Sequence, residues 1–221
     1  MSLSNNEHYA AQYPSDALAA DSSLDTINTS DASTLDELFR ERVRRSNNKL
    51  AYSQYDDSSQ SWVEFSWSQL ATQVERWQVA LRASGLEKGD RVAICYSNSV
   101  EWVVFDQAAL RLGLVVVPLY TADRADNIAY VIGNSGTKLA LFAHSDLWQE
   151  VAGTDEDTSC IEHVLVFSGD EGGLVKLVDN WLPEHGQHFE RGVAAADDLA
   201  SIVYTSGTTC LLYTSPSPRD S

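Results

Sequence analysis

Basic residues are scarce in this 221-residue sequence. It contains 15 Lys and Arg against 32 Asp and Glu, which gives a formal net charge of −17. Binding to duplex DNA or RNA depends on Lys and Arg that neutralise phosphates. The excess of acidic residues therefore predicts that the protein has no nucleic-acid partner.

Long apolar runs are also lacking. The longest, residues 114–120, is far shorter than the ~18 residues of a membrane-spanning helix, and it contains Pro118. We expect no transmembrane segment. The first residues do not show the basic and then apolar pattern of a secretory signal, so a cytoplasmic location is the default expectation.

Cysteine and histidine are few and scattered. Cys95, Cys160 and Cys210 form no C-x-x-C pair, which favours reduced thiols over a disulfide framework or a zinc site. His185 and His188 are the closest histidines, but they lie beside Pro183 and Gly186 in a predicted loop, where a metal site is disfavoured.

The sequence divides into three regions. Residues 1–33 contain no Lys or Arg and predict a flexible or loosely docked acidic tail, with an acidic interaction arm as the alternative. Folded sequence is predicted to begin at the capping box of Thr34 and Glu37, and to continue through residues 34–209. Residues 210–221 form a third region of different character.

Within residues 34–209, a helix, a hairpin (residues 50–55 and 62–65) and a second helix capped at Ser66 are predicted first. Short apolar strands then alternate with helices. We place strands at residues 91–95, 114–119, 139–142 and 164–167, and helices at 99–112, 126–134 and 146–151. This alternation predicts an α/β fold with a mostly parallel sheet and helices on both faces. The acidic stretch 145–199 is predicted to run largely over the surface.

A small hydroxyl-rich loop follows the apolar run Ile202-Val203-Tyr204. Its residues are Thr205, Ser206, Gly207, Thr208 and Thr209. Four hydroxyls, a permissive glycine and adjacent N–H groups can bind an anion such as phosphate. Taken alone, the pattern is more often an ordinary turn. It is not a Walker A loop, a dinucleotide fingerprint or a serine-hydrolase elbow.

Four segments in order carry a resemblance to a known family. They are "TLDELFRERVRRSNNKLAY" (34–52), "GLEKGDRVAICYSNSVEWVVFDQAALRLGLVVVPLY" (85–120), "ADNIAYVIGNSGTKLALF" (125–142) and "DDLASIVYTSGTT" (197–209). Together they resemble the adenylate-forming (AMP-binding) enzymes, and most of all the long-chain acyl-CoA synthetases. The resemblance covers roughly residues 34–209.

The resemblance implies a ligase that uses ATP, Mg²⁺ and coenzyme A. A carboxylate, here expected to be a fatty acid, would attack the α-phosphate of ATP to give acyl-AMP, and coenzyme A would then displace AMP. The loop Thr205 to Thr209 would bind the ATP phosphates, with Thr205 as the magnesium contact. No catalytic residue of the family can be assigned here, and peripheral membrane contact and oligomeric state stay open.

The family pattern is interrupted after Thr209. Where the family continues Gly-x-Pro-Lys-Gly, residues 210–220 read "CLLYTSPSPRD", which resembles the translation of a transposon-end sequencing adapter. We therefore expect residues 210–221 to be non-native and the 221-residue chain to be inactive. The alternative is a truncated, non-catalytic paralogue that acts as a protein-binding module.

Overall fold

The structure is a computed structural model that describes residues 25–188 and 192–205. Its elements alternate much as the sequence predicts. In chain order they are α1 (Leu35–Ser46), β1 (Leu50–Asp56), β2 (Ser61–Ser66), α2 (Trp67–Ala83), β3 (Arg91–Cys95), α3 (Val100–Arg111), β4 (Val115–Pro118), α4 (Ala125–Ser135), β5 (Thr137–His144), α5 (Ser145–Ala152), β6 (His163–Ser168), β7 (Val175–Leu177) and α6 (Val178–Trp181).

The first two helices begin at side-chain caps. Ser66 and Gln69 form the full reciprocal capping box that the sequence predicts for α2. At α1, the Thr34 hydroxyl accepts the Glu37 N–H at 3.1 Å, but the Glu37 carboxylate accepts the N–H of Ser33 at 2.7 Å. The Glu37 carboxylate thus accepts the N–H of Ser33, one residue before the Thr34 N–H that a full capping box would use. Caps of this kind contribute about 1 kcal/mol each.

The β1–β2 hairpin forms as predicted and docks on the start of α3. The two strands pair antiparallel from Leu50 to Asp56. The Gln54 Oε1 atom accepts the Val100 N–H at 2.7 Å, which satisfies a helix N–H that has no partner within the helix. The hairpin therefore serves as part of the α3 cap.

The main sheet has five parallel strands in the order β4-β3-β5-β6-β7. Helices α3, α4 and α5 connect β3, β4, β5 and β6 in turn, as parallel pairing generally requires, whereas residues 169–174 alone link β6 to β7. The prediction of an α/β fold with a mostly parallel sheet is confirmed. The direction of strand addition reverses between β3 and β5, which makes that point the topological switch of the sheet.

Helices cover both faces of this sheet. On one face, Val92, Ile94 and Leu141 pack with Trp77 of α2 and Phe105 of α3. The alternating residues, which include Ala93, Cys95, Ala140 and Phe142, pack on the other face with side chains of α4 and α5. Burying one large apolar side chain contributes about 1.5–3 kcal/mol to stability. The two layers of buried side chains together form the core.

Two details of the sheet differ from the prediction. The acidic stretch contains the additional strand β7, whose Val175 is buried and pairs with Val164, followed by the short helix α6. A three-residue strand with one charged residue has too little pattern to be seen in sequence. The apolar run at residues 202–204 has the pattern of a strand, but the chain pairs with the sheet one residue before it, through a single bridge between Ser201 and Val116.

Residues 25–33 lie against α1. Asp25 pairs with Arg42 and Arg45, at 3.3 and 2.7 Å, and Asp31 pairs with Arg45 at 2.9 Å. The rest of the predicted tail, residues 1–24, lies outside the described residues, as does the predicted adapter region 210–221. Among residues 25–188 and 192–205, none of the helices combines the length and the apolar character of a membrane span.

Candidate functional site

The chain reaches the predicted phosphate loop along the β4 edge of the sheet. Val116 donates its N–H to the Ala200 carbonyl and accepts the Ile202 N–H, both at 3.0 Å. The bridge between Val116 and Ser201 is parallel. The chain therefore runs toward the carboxyl edge of the sheet, where parallel α/β proteins bind their ligands.

Tyr204 anchors the last residues before the loop. Its hydroxyl donates to the Asn134 Oδ1 atom on α4 at 2.6 Å, and its ring packs with Ile202 against the core on that face. Burial, and to a lesser degree Tyr130, raises the pKa of the Tyr204 phenol. The phenol therefore stays protonated near neutral pH and can keep donating to Asn134.

Thr205 follows as an exposed residue. The other predicted site residues, Ser206, Gly207, Thr208 and Thr209, lie outside the described residues, so their phosphate contacts stay a prediction. The structure thus describes the chain that leads to the predicted loop and one residue of the loop itself, Thr205.

The topological switch between β3 and β5 is the other place where this fold class would bind a phosphate. There, however, N–H groups of the adjacent helices already have partners. The Trp102 N–H of α3 donates to the Ser99 hydroxyl at 3.2 Å, beside the Val100 N–H held by Gln54. The Asp146 N–H of α5 donates to the His144 Nδ1 atom at 3.2 Å. The β4 edge is therefore the better candidate.

Residues capable of nucleophilic or metal chemistry are dispersed. Burial, with a smaller effect of Asp123, raises the pKa of the Cys95 thiol to about 11, which leaves it protonated and unreactive at neutral pH. His163 contacts the Ser84 carbonyl at 3.1 Å, and His188 contacts Glu75 at 2.9 Å. Among residues 25–188 and 192–205, no group of three or more His, Cys, Asp or Glu could hold a metal ion.

Mg²⁺ is compatible with the one described residue that the sequence assigns to it. The Thr205 hydroxyl is a hard oxygen ligand on an exposed residue. Mg²⁺ commonly combines one or two protein ligands with substrate phosphates and water, so a single hydroxyl from this part of the chain fits that pattern.

The fold is an α/β domain with a parallel sheet, and its chain runs toward the carboxyl edge of that sheet as far as Thr205. A family model described as "AMP-binding enzyme" matches residues 39–211. The chain therefore belongs to the AMP-binding enzyme family, as its sequence resemblance predicts.

Its curated relatives include several CoA ligases. The chain is 29% identical over 152 residues to the long-chain-fatty-acid–CoA ligase FadD15 of Mycobacterium bovis, covering 67% of this chain and 25% of that protein. It is 35% identical to a 3-hydroxybenzoate–CoA/4-hydroxybenzoate–CoA ligase of Thauera aromatica, covering 59% of this chain and 25% of that protein. The chain thus spans about a quarter of the length of these relatives.

Solved structures support the same fold. A fatty acyl-CoA synthetase of Mycobacterium tuberculosis superposes with a TM-score of 0.64 at 23% identity, over 79% of this chain and 33% of that one. The N-terminal domain of FACL13 from the same organism gives 0.62 at 24% identity, over 80% and 42%. At these identities the likeness concerns the fold alone.

One feature of the site could not be derived from the sequence motif. The hydrogen bond from Tyr204 to Asn134 joins residues 70 positions apart, and no local pattern predicts it.

Proposed function

We propose that this chain is part of an enzyme that activates a fatty acid with ATP and transfers the acyl group to coenzyme A. The observation that carries the proposal is the family match over residues 39–211, a range that includes the predicted phosphate loop. The fatty-acid ligases among the relatives favour a fatty acid. The hydroxybenzoate ligases keep an aryl acid as the competing substrate.

The described residues would contribute to positioning the nucleotide. The Ala200–Ile202 backbone holds the chain before the predicted loop on β4, and Tyr204 holds it against α4. The Thr205 hydroxyl would then donate to a phosphate oxygen, or bind the Mg²⁺ that neutralises the phosphates when present. Preorganised donors of this kind lower the barrier because they need not reorient during the reaction. A cytoplasmic location remains part of the proposal.

We propose further that the 221-residue chain is inactive. Phosphate binding by neutral hydroxyl and N–H donors alone is weak, because charge-assisted contacts from Lys or Arg supply much of the energy. Residues 205–209 contain neither, and the Gly-x-Pro-Lys-Gly continuation is replaced after Thr209.

Carboxylate-dependent exchange of pyrophosphate into ATP tests both statements. The assay compares this chain with a full-length protein in which residues 1–209 continue through the complete domain. We expect exchange with C12–C18 fatty acids by the full-length protein and none by the 221-residue chain. Exchange with hydroxybenzoates alone would contradict the fatty-acid assignment, and turnover by the short chain would contradict its inactivity.

The full-length protein also allows a test of Thr205. Thr205→Val keeps the side-chain shape but removes the hydroxyl, and we expect it to lower the exchange rate roughly 10- to 100-fold. Thr72→Val, at an exposed position on α2, is the matched control and should leave the rate unchanged. Equal rates for the two variants would argue against a role of Thr205 at the phosphates.

A further inference from the structure

A wide groove lies between α1, the β1–β2 hairpin and α3. Its volume is about 860 Å³. Three aromatic side chains line it as one cluster: the ring centroid of Trp67 lies 6.0 Å from that of Phe39 and 6.3 Å from that of Tyr52. Trp67 and Phe39 are half-buried, so the groove exposes part of an aromatic cluster to whatever lies in it.

Large apolar side chains are exposed on both walls of the groove. Leu35 of α1 is 52% exposed, and Leu50 of β1 is 55% exposed. Leu38 and Tyr52 line the same groove and are also exposed. Single exposed apolar residues are ordinary on a protein surface, whereas a continuous group of them marks a contact surface. The groove is therefore suited to an apolar segment of polypeptide.

The first described residues of the chain enter this groove. Asp25, Thr26 and Ile27 line it. Arg45 holds two of them, because it contacts the Asp25 carboxylate at 2.7 Å and donates to the Thr26 carbonyl at 3.1 Å. Leu24 is bonded to Asp25, and consecutive Cα atoms are about 3.8 Å apart. The preceding chain therefore joins the described part at the groove itself.

The direction of the chain leads further along the groove. Asp25 lies beside Arg45, in the last turn of α1, whereas Ser33 contacts Glu37 in the first turn. This stretch of chain therefore runs antiparallel to α1. Continued in the same direction, the chain before Asp25 would pass the end of α1 and reach the groove wall at Leu50.

The charges of the groove favour an acidic segment. Its charged lining residues are Arg42 and Lys49 against Asp25, an excess of positive charge in a chain whose formal net charge is −17. Asp25 already contacts Arg42 at 3.3 Å, and Lys49 is exposed. Residues 15–24, "SDALAADSSL", contain two Asp, no Lys or Arg, and two Leu. Their apolar and acidic side chains match the lining of the groove.

We propose that residues 15–24 of the same chain dock in this groove, with Leu18 and Leu24 against its apolar walls and Asp21 near Lys49. A covalently attached segment has an effective concentration of about millimolar, which favours it over a second copy of the chain. The proposal does not depend on acyl activation, because Thr205 does not line the groove.

The test observes Leu methyl groups in the ¹³C-labelled 221-residue chain by NMR. We expect nuclear Overhauser effects between the methyl groups of Leu24 or Leu18 and those of Leu50. A mixture of labelled and unlabelled chains identifies the occupant: contacts within one chain join two labelled methyl groups, whereas contacts between copies join a labelled and an unlabelled one.

Cleavage by thermolysin before Leu18 supplies a second measurement, because docked segments are cleaved more slowly than undocked ones. Leu50→Asp places a charge on the apolar wall and should accelerate this cleavage about 10-fold. Leu174→Asp, at a similarly exposed leucine before β7, is the matched control and should leave the rate unchanged.

A variant within the segment keeps the proposal testable if Leu50→Asp does not fold. Leu18→Ser changes no residue of the groove and should weaken the Leu24–Leu50 contact. Leu3→Ser lies outside residues 15–24 and should leave that contact intact.

Three outcomes would overturn the proposal. They are the absence of methyl contacts between residues 15–24 and the groove, contacts that occur only between labelled and unlabelled chains, and equal acceleration of cleavage by Leu50→Asp and Leu174→Asp. The second outcome would make the groove an interface between two copies.

Discussion

The sheet is held differently at its centre and at its β4 edge. At the centre, β3 pairs with a strand on each side, and Val92, Ile94 and Leu141 are fully buried. At the edge, residues 200–202 attach to β4 through two hydrogen bonds of Val116. Beyond them Val203 is 66% exposed, and the chain leads directly to the predicted phosphate loop.

This difference separates stability from function in the molecule. The central strands and their helices bury most of the apolar surface, so they should hold the fold with little help from the edge. The edge carries the predicted phosphate site with few buried contacts. Local stability in proteins follows buried contacts and protected hydrogen bonds, and the edge should therefore open more readily than the centre.

The largest expected effect comes from deleting a large side chain at the centre. Phe105 is fully buried on α3 and packs edge-on against Trp77, with ring centroids 5.2 Å apart. Phe105→Ala should lower the free energy of unfolding by about 3–5 kcal/mol, measured by urea denaturation. Val203→Ala at the edge should change it by less than about 0.5 kcal/mol. Similar losses for both variants would remove the distinction between centre and edge.

The same contrast explains which parts of the fold could be predicted from sequence. The central strands are continuous apolar runs with short links and capped helices, such as the Ser66–Gln69 box. Each signal is local, and all of them favour the same fold. Strand β7 was missed because Val175, Lys176 and Leu177 offer too short a pattern, and its pairing with β6 is fixed by tertiary packing.

The candidate site was less predictable because its geometry is not local. The hydroxyls of the 205–209 loop are visible in the sequence, but their interpretation depends on separate segments between residues 34 and 142. The contact between Tyr204 and Asn134 depends on how α4 packs. Neither the type of these residues nor their spacing in the sequence predicts such a contact.

A smaller effect on the free energy of unfolding is expected at Asp106, whose partly buried carboxyl lies on α3. Burial raises the pKa of this carboxyl to about 6, although a hydrogen bond from Gln107 opposes the shift. The carboxyl ionises near its ordinary value of 3.8 in the unfolded chain. The folded state therefore binds the proton more tightly, and the stability that this proton contributes is lost as pH rises from about 4 to about 6.

Asp106→Asn tests this directly, because the amide cannot ionise. The variant should be more stable than the unsubstituted chain by about 1–2 kcal/mol at pH 7.5, after allowance for partial exposure of the carboxyl. The difference should vanish near pH 4. Asp179→Asn, at an exposed position on α6, is the control and should give a constant difference. A pH-independent gain for Asp106→Asn would show that ionisation is not its cause.

The smallest effect concerns the edge itself. Tyr204→Phe removes the hydrogen bond to Asn134 and retains the ring that packs against the core. Because this bond is partly exposed to solvent, its loss should cost no more than about 1 kcal/mol in global stability. Amide hydrogen exchange should reveal it more clearly: Ile202 should exchange several-fold faster, while the central β3 amides keep their rates. Tyr120→Phe, at a side chain 73% exposed, should change neither rate. Equal acceleration at β3 and at residues 200–204 would mean that the edge and the centre open as one cooperative unit.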